Sequence, residues 1–510
     1  MTQDVNLVVQ GRGGPCQRQD QLHSASEIFV PMIVQSPNTS GGVITSMAQF
    51  QTLSVPSTVA QRRATISMDI EGQYWKYFGF IVVVGFLMRL ACFTGLIGSD
   101  DVVYSHFAQL IAQLSYRPEL HHAALRYGLL LPLGVLYRVF GVGEWTTIMV
   151  PLLASTLSVP AVMLIGQKLL GSRVALLAGM LIATFPAELR YATILVPEPL
   201  AEFYGLVAIL IYLYWGAENQ TSAGLLSGLC MGVAYLTKEP VLFVAPALMI
   251  DAIVTRRWRL LLAITVGMLM IAGAEHTYYK AVTGDLMFRP HAMVQHNHSL
   301  AAVEANQYLG RRLFEAYPQM MILPTWSFGL HSLFAILLAL PACFLLSVEK
   351  WRLPVLWALL PLIYLNFGTS SLTSYWVLPA EQRYLLFIYP PLFMLAAVAV
   401  IRIGSLRPHA APFLGLVFSL VLVTGFYCGF ADRARGWRTD AINELRTIGD
   451  KARSRNDRTV AFEGDEPEQW KQSMEILDHD LTLSTDSKAA DLVIRPDAFG
   501  LPAVVSSRRP

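Results

Sequence analysis

The chain has 510 residues, of which 54% are hydrophobic and only 15% charged, with 38 Lys and Arg against 36 Asp and Glu for a net charge of +2. That balance excludes an ordinary soluble globular protein, in which about a quarter of residues are charged. The near-zero charge argues neither for nor against nucleic acid, but no basic-aromatic patch appears, so no nucleic-acid partner is expected.

Residues 1–74 are polar, rich in Gly, Ser, Gln and Thr, and without sustained periodicity, which predicts disorder. The passage Met68-Asp-Ile-Glu-Gly-Gln-Tyr-Trp-Lys76 has the form of an ordinary membrane-protein start. The expectation is therefore that residues 1–67 precede the true start, with an Arg-containing, acid-poor transit peptide as the alternative. An intact mass of the native protein that includes residues 1–67 would overturn that start.

Residues 75–430 read as a polytopic α-helical membrane domain. Apolar segments long enough to cross a bilayer recur near 78–97, 146–167, 174–187, 199–216, 222–237, 240–255, 260–279, 327–348, 353–369, 384–401 and 411–430. The apolar stretch 127–141 is shorter and contains Arg138, and it is expected as an interfacial or re-entrant helix. Loop charges set the orientation. With the N-terminus inside, Lys168, Arg173, Arg256, Arg257, Arg259, Lys350, Arg352, Arg402 and Arg407 fall on the cytoplasmic side. The short outer connections then hold little beyond Arg190 and Lys238, although the longer outer loops, 98–145 and 280–326, are less clean. Counting 127–141 as a full span would place Arg256 to Arg259 outside.

Residues 431–510 turn polar and read as a small extracytoplasmic α/β domain. Helices are expected over Trp437–Ala452 and Pro467–Leu477, with strands over Thr459–Glu463, Leu481–Ser484 and Asp491–Ile494. The five cysteines, at 16, 92, 230, 343 and 428, have no spacing that suggests a disulfide framework or a metal site. His291, His296 and His298 form a loose cluster without the spacing of a regular metal site.

The chemistry is carried by ionisable residues at the outer ends of spans. Asp100 and Asp101 follow the first span. Acids flank many spans simply because water is there, but in an adjacent pair mutual repulsion can lift one carboxyl toward the range of a general base. Tyr104 lies one helical turn beyond Asp100 and is placed to orient it. Arg126 sits at the membrane boundary, where a guanidinium suits a phosphate group as well as it suits snorkelling to the interface. The connection 185–202 brings Glu188, Arg190, Glu198 and Glu202 to the same side. Glu202 should lie just inside the next helix, where an unpaired charge is costly, so an ion pair of Arg190 with one of these glutamates is the structural alternative. Lys238-Glu239 forms a charged turn, Glu381-Gln-Arg383-Tyr384 opens the tenth span, and Arg89 within the first span needs a partner.

These residues carry a resemblance. The order Asp100-Asp-x-x-Tyr104, Arg126-Tyr-Gly, Leu136-Tyr-Arg-Val-Phe-Gly141, Leu169-Leu-Gly171, Ala178-Gly179, Ala183-Thr-Phe-Pro186, Gly228 to Lys238-Glu239, and Arg383-Tyr384 with Pro390-Pro391 is similar to a known pattern. It resembles the bacterial branch of the dolichyl-phosphate-mannose-protein mannosyltransferase superfamily, glycosyltransferase family 39, which includes the ArnT aminoarabinose transferases. The resemblance spans roughly residues 76 to 402. It implies the GT-C membrane fold, a sugar donor on a polyprenyl phosphate, and transfer with inversion to an extracytoplasmic hydroxyl of a lipid, glycan or protein. It further implies Asp100 as the catalytic aspartate, Asp101 as its acidic neighbour and Glu198 at the second-loop acidic position. Arg126 stands near the basic residue that holds the donor phosphate, a lysine in the ArnT branch, and Arg383 is a second phosphate contact. Lys238 is expected to add a third cation, with Tyr104, Arg190 and Glu202 in support.

Elementary chemistry agrees with that implication. A hydroxyl is a poor nucleophile and must lose its proton as it attacks, while a departing phosphate needs fixed cations. A divalent metal is compatible with two aspartates but not demanded by a monophosphate leaving group. The expected localisation is the bacterial inner membrane, multi-pass, with the C-terminus and the site on the outer side. The rival class is a transporter or lipid flippase, which would put ionisable residues near the midplane and show two related halves. A polysaccharide polymerase or ligase, sharing the lipid-linked donor, is the third reading.

Overall fold

The structure is a computed structural model. It describes residues 57–298, 311–323, 325, 328–369, 375, 377–432, 439–455, 457–463, 467–478, 481–484, 490–496 and 502–507. The chain divides into Met1–Gln61 and Arg62–Pro510. The disorder expected for residues 1–56 falls outside the described residues. Residues 57–74, expected as part of the same unstructured tail, instead belong to the first helix, α1 (Ser57–Ala91).

The bundle follows in chain order. After α1 come α2 (Asp100–Ala112), a 3-10 turn (His122–Leu125), α3 (Tyr127–Phe140), α4 (Glu144–Leu170), α5 (Ser172–Thr184), α6 (Pro186–Tyr191), α7 (Glu198–Trp215) and α8 (Gln220–Thr237). A 3-10 turn (Glu239–Val244) leads into α9 (Ala245–Val254), followed by α10 (Trp258–Thr283), α11 (Phe288–His298), a π turn (Arg311–Glu315), α12 (Tyr317–Ile322), α13 (Gly329–Leu345) and α14 (Val348–Phe367). A third 3-10 turn (Gln382–Ile388) opens α15 (Tyr389–Leu406), and α16 (Ala411–Asp432) ends the bundle.

Among the described residues, five segments are long and apolar enough to cross a membrane by length and composition: Gln73–Ala91, Glu144–Leu170, Trp258–Thr283, Gln382–Leu406 and Pro408–Asp432. The helices α5, α7, α8, α9, α13 and α14 run between them, at the positions where the other six spans were expected from the sequence. The protein is therefore a multi-pass membrane protein. The helix α3 holds Pro132 and runs over only 14 residues, too short to cross at 1.5 Å per residue.

Burial explains why charge is confined to particular places. Arg89, fully buried, donates to Ser155 at 2.8 Å and to the Gly85 carbonyl at 3.0 Å, and pairs with Glu188 at 3.5 Å. Near the other end of the bundle Asp251 takes Arg352 at 2.5 Å and the Tyr212 hydroxyl at 2.6 Å. Small residues set the closest helix contact: Gly224 and Gly228 of α8 lie against the backbone of α10 around Ile264, and Gly267 of α10 lies against α8. A side chain at any of the three would collide with backbone, so the two helices pack at minimal separation.

The last part of the chain forms the small α/β unit expected. It comprises α17 (Thr439–Arg455), β1 (Thr459–Phe462), α18 (Pro467–Leu477), β2 (Thr482–Ser484), β3 (Leu492–Pro496) and β4 (Pro502–Ser507). The sheet order is β2-β1-β3-β4, with β1 parallel to both neighbours and β4 antiparallel to β3. Its core, built on Ile442, Leu445, Ile448, Trp470 and Met474, also takes in Leu96 and Val102 from the loop after α1 and the start of α2.

Candidate active site

The first span ends earlier than its hydropathy suggests. Residues 92–99 are apolar enough to continue α1, yet they form a loop in which Gly95 and Gly98 take φ of +75° and +70°. Only glycine enters that region without strain. The loop is pinned on one side by Thr193, which receives the amide of Thr94 on its hydroxyl at 2.9 Å and the amide of Gly95 on its carbonyl at 3.1 Å. Asp101 pins it from the other side, accepting the amides of Ile97 and Ser99 at 2.6 Å each.

The two aspartates consequently differ. Asp101 is 1% exposed and spends both carboxylate oxygens on the loop, whereas Asp100 lines a cavity of about 550 Å³. Burial lifts the Asp101 carboxyl from 3.8 to about 6 against its three backbone hydrogen bonds, and repulsion from Asp100 is the smallest contribution. A carboxyl raised by folding stabilises most below about pH 4 and loses that contribution as pH rises through about 6. Asp101→Asn should therefore flatten the thermal midpoint of the detergent-solubilised protein across that window relative to the native chain. Parallel slopes for the two proteins would show that Asp101 is not the titrating group.

Two cations from distant elements also line the cavity. Lys238, the C-cap of α8, has an extended backbone (φ −156°, ψ 120°), and Arg383 sits in the 3-10 turn before α15. They meet over Glu198, the first residue of α7. Arg383 Nη2 reaches Asp100 Oδ2 at 3.1 Å and its Nε reaches Glu198 Oε1 at 3.4 Å, while Lys238 Nζ lies 3.2 Å from the same Glu198 oxygen. Lys238 also stands 4.4 Å over the Tyr384 ring. Glu198, expected among the reacting carboxylates, is fully buried behind these two cations and does not line the cavity.

Arg126, at the start of α3, also lines the cavity and pairs with Glu239. Burial opposes the charge on Arg126, but the Glu239 carboxylate, its hydrogen bond and Tyr104 together outweigh it, and the guanidinium titrates above its ordinary value. Glu239 in turn receives Arg289 at 2.6 Å, and Arg289 is held by Glu275, also at 2.6 Å, and by the Leu125 carbonyl. Among the described residues the buried Arg126 Nε has no partner.

Arg190 lines the cavity, tied at 2.8 Å to Asp432 at the end of α16 rather than to a glutamate of its own connection. Glu202, expected in support, is one turn below Glu198 and faces Glu188 and Arg89 inside the bundle, so it does not reach the cavity. Tyr104 is buried in an apolar cluster with Phe107 and Leu129, its ring edge-on to His122 at 6.5 Å. Glu381 and Tyr191, both within motifs read from the sequence, also line the cavity, and sequence reasoning missed His122 and Tyr364, which line it as well. Each is a polar or aromatic residue at a span end, a pattern too common to single out. Among the described residues no three His, Cys, Asp or Glu side chains group as ligands for a metal, and His296 and His298 have no described side chains.

Residues 130–274 match the family model described as dolichyl-phosphate-mannose-protein mannosyltransferase. No curated protein matches the chain. Among solved structures the chain is similar to ArnT from Cupriavidus metallidurans in the apo state, with 17% identity and a TM-score of 0.53 over 82% of this chain and 87% of that one. The same protein bound to undecaprenyl phosphate gives 17% identity and 0.51 over 82% and 86%. The apo oligosaccharyltransferase of Archaeoglobus fulgidus gives 11% identity and 0.52, with 82% of this chain covering 65% of that one. These likenesses show the fold, that of the PMT- and ArnT-like GT-C membrane proteins.

Proposed function

We propose that this protein is a membrane glycosyltransferase that moves a sugar from a polyprenyl phosphate to a hydroxyl of an extracytoplasmic acceptor, with inversion. One observation carries the reading: Asp100 shares its cavity with four cations, Arg126, Arg190, Lys238 and Arg383, each braced by a carboxylate from Glu239, Asp432 or Glu198. Donors fixed before the substrate arrives need no rearrangement when charge develops on a leaving group. The matching family segment and the ArnT-like fold support the same donor class, since ArnT itself is seen with undecaprenyl phosphate.

In this mechanism the acceptor oxygen attacks the anomeric carbon while its proton passes to the Asp100 carboxylate. The bond from that carbon to the phosphate oxygen breaks, and its electron pair leaves with the phosphate. Arg126 and Arg383 bind that oxygen cluster, with Lys238 and Arg190 adding to the positive field. Single displacement from the face opposite the phosphate inverts the anomeric centre. Glu198 and Asp101 act on this reaction only by holding Lys238, Arg383 and the Asp100 loop in place. A divalent cation could sit beside Asp100, but no step of this displacement requires one. The orientation read from loop charge puts the cavity on the outer face of a bacterial inner membrane.

The test is donor consumption. Purified protein with a polyprenyl-phospho-sugar and an envelope fraction should release polyprenyl phosphate and label one envelope component. Mass spectrometry of envelope lipids and glycans from cells with and without the protein should then show the same mass difference. Intact donor and identical envelopes would overturn the reading. Arg126→Ala should raise the apparent donor KM by about 10- to 100-fold, the worth of one charge-assisted phosphate contact. An unchanged donor KM would remove Arg126 from the phosphate site.

A further inference from the structure

The loop that carries Asp100 is shared between the membrane bundle and the C-terminal domain. Glu144, in the first turn of α4, accepts the Leu96 amide on Oε1 at 3.0 Å. The same oxygen pairs with Arg446 of α17, whose other terminal nitrogen is held by Asn443 at 2.7 Å. Gly95 lies directly against that pair, and a Cβ there would meet both the Glu144 carboxylate and, at 3.0 Å, the Arg446 guanidinium. Leu96 and Val102, which flank Asp100 on either side, are buried in the core of the C-terminal domain with Ile442, Leu445 and Trp470. Thus two side chains and Gly95 meet that domain within a few residues of the carboxylate, and the Leu96 amide is linked to it through Glu144.

We infer that the docked C-terminal domain presents Asp100 to the cavity, with Glu144 and Arg446 as positioning residues. This rests on the reading of Asp100 as the base. The Thr193 contacts join the loop to the segment leading into Glu198, so the loop is held between the bundle and the domain. Loosening the domain side lets Asp100 drift from the reacting oxygen, and a displacement of about 1 Å at such a group can cost on the order of 100-fold in rate. The Glu144–Arg446 pair is partly exposed, at 19% and 30%, so breaking it should cost little global stability.

The experiment uses full-length protein in detergent and reads two quantities: hydrogen exchange over residues 93–104 and steady-state transfer. Arg446→Ala and Glu144→Gln should each speed exchange at the amides of residues 95–99 and lower kcat by about tenfold or more, with donor KM unchanged. Arg446→Lys should recover most of the turnover, and Gly95→Ala, which wedges the pair apart, should reproduce the defect. Unchanged exchange in both single variants overturns the inference, as does faster exchange with native kcat. Asp100→Asn is run alongside. If it transfers sugar normally, the assignment of the base fails, whereas an inactive Asp100→Asn with an unresponsive loop removes only the positioning role.

Discussion

Asp100→Asn is expected to lower turnover by roughly 10²- to 10⁴-fold, the usual worth of a general base, while the protein still folds and binds its donor. The substitution keeps the shape of the side chain and its place beside Arg383, 3.1 Å away. It removes the negative charge and with it the capacity to take a proton from the attacking hydroxyl. Arg383 retains Glu198 as its second partner, so the cation is not left unbalanced. Release of polyprenyl phosphate by purified protein measures the turnover, and retention of labelled donor in the same sample measures binding. Near-normal release would require another proton acceptor, and Glu381 or His122 on the cavity wall would then have to be tested in its place.

Lys238→Met should have the largest effect on stability, about 3–5 kcal/mol, because it strips a partner from a carboxylate with no exposed surface. Arg383 alone would remain on Glu198, at the looser distance of 3.4 Å. The Tyr384 ring would lose the nearer of its two cations at the same time. The sign of the effect depends on what is left behind rather than on the pair itself. Replacing both members, Lys238→Met with Glu198→Leu, should therefore return much of the lost stability while leaving transfer impaired. Thermal unfolding of the three proteins in one detergent decides it. A single variant as stable as the native chain would mean that Glu198 is neutral or solvated, contrary to its position behind the cations.

The spans were legible because a bilayer demands continuous apolar length, and composition reports length directly. Their ends were not. Residues 92–97 are as apolar as the helix before them, but their apolar surface is spent on the C-terminal domain, and two glycines turn the backbone away from the helix. The last strand, Pro502–Ser507, escaped notice because it begins with proline and follows a run without alternation. In the site, charges at the outer span ends marked the right neighbourhood. What the sequence could not supply was direction around each element. Asp100 and Asp101 are adjacent, yet one faces the cavity and the other the loop behind it. Nor could it supply pairing between distant segments: Glu239 with Arg289, Arg190 with Asp432, and Glu144 with Arg446 are chosen by tertiary packing alone.

The glycine-lined contact between α8 and α10 has a bearing on how the protein could change its substrate. Two helices whose backbones touch behave as one stiff plate, and Lys238 and Glu239 are mounted on its edge. Remodelling of the cavity should therefore come from its more loosely held side, the loop before α2 and the helix α11, which are attached by hydrogen bonds rather than by interlocked backbones. Laboratory selection for altered sugar or acceptor use should accumulate replacements on that side. Gly228 and Gly267 should remain fixed throughout such a selection.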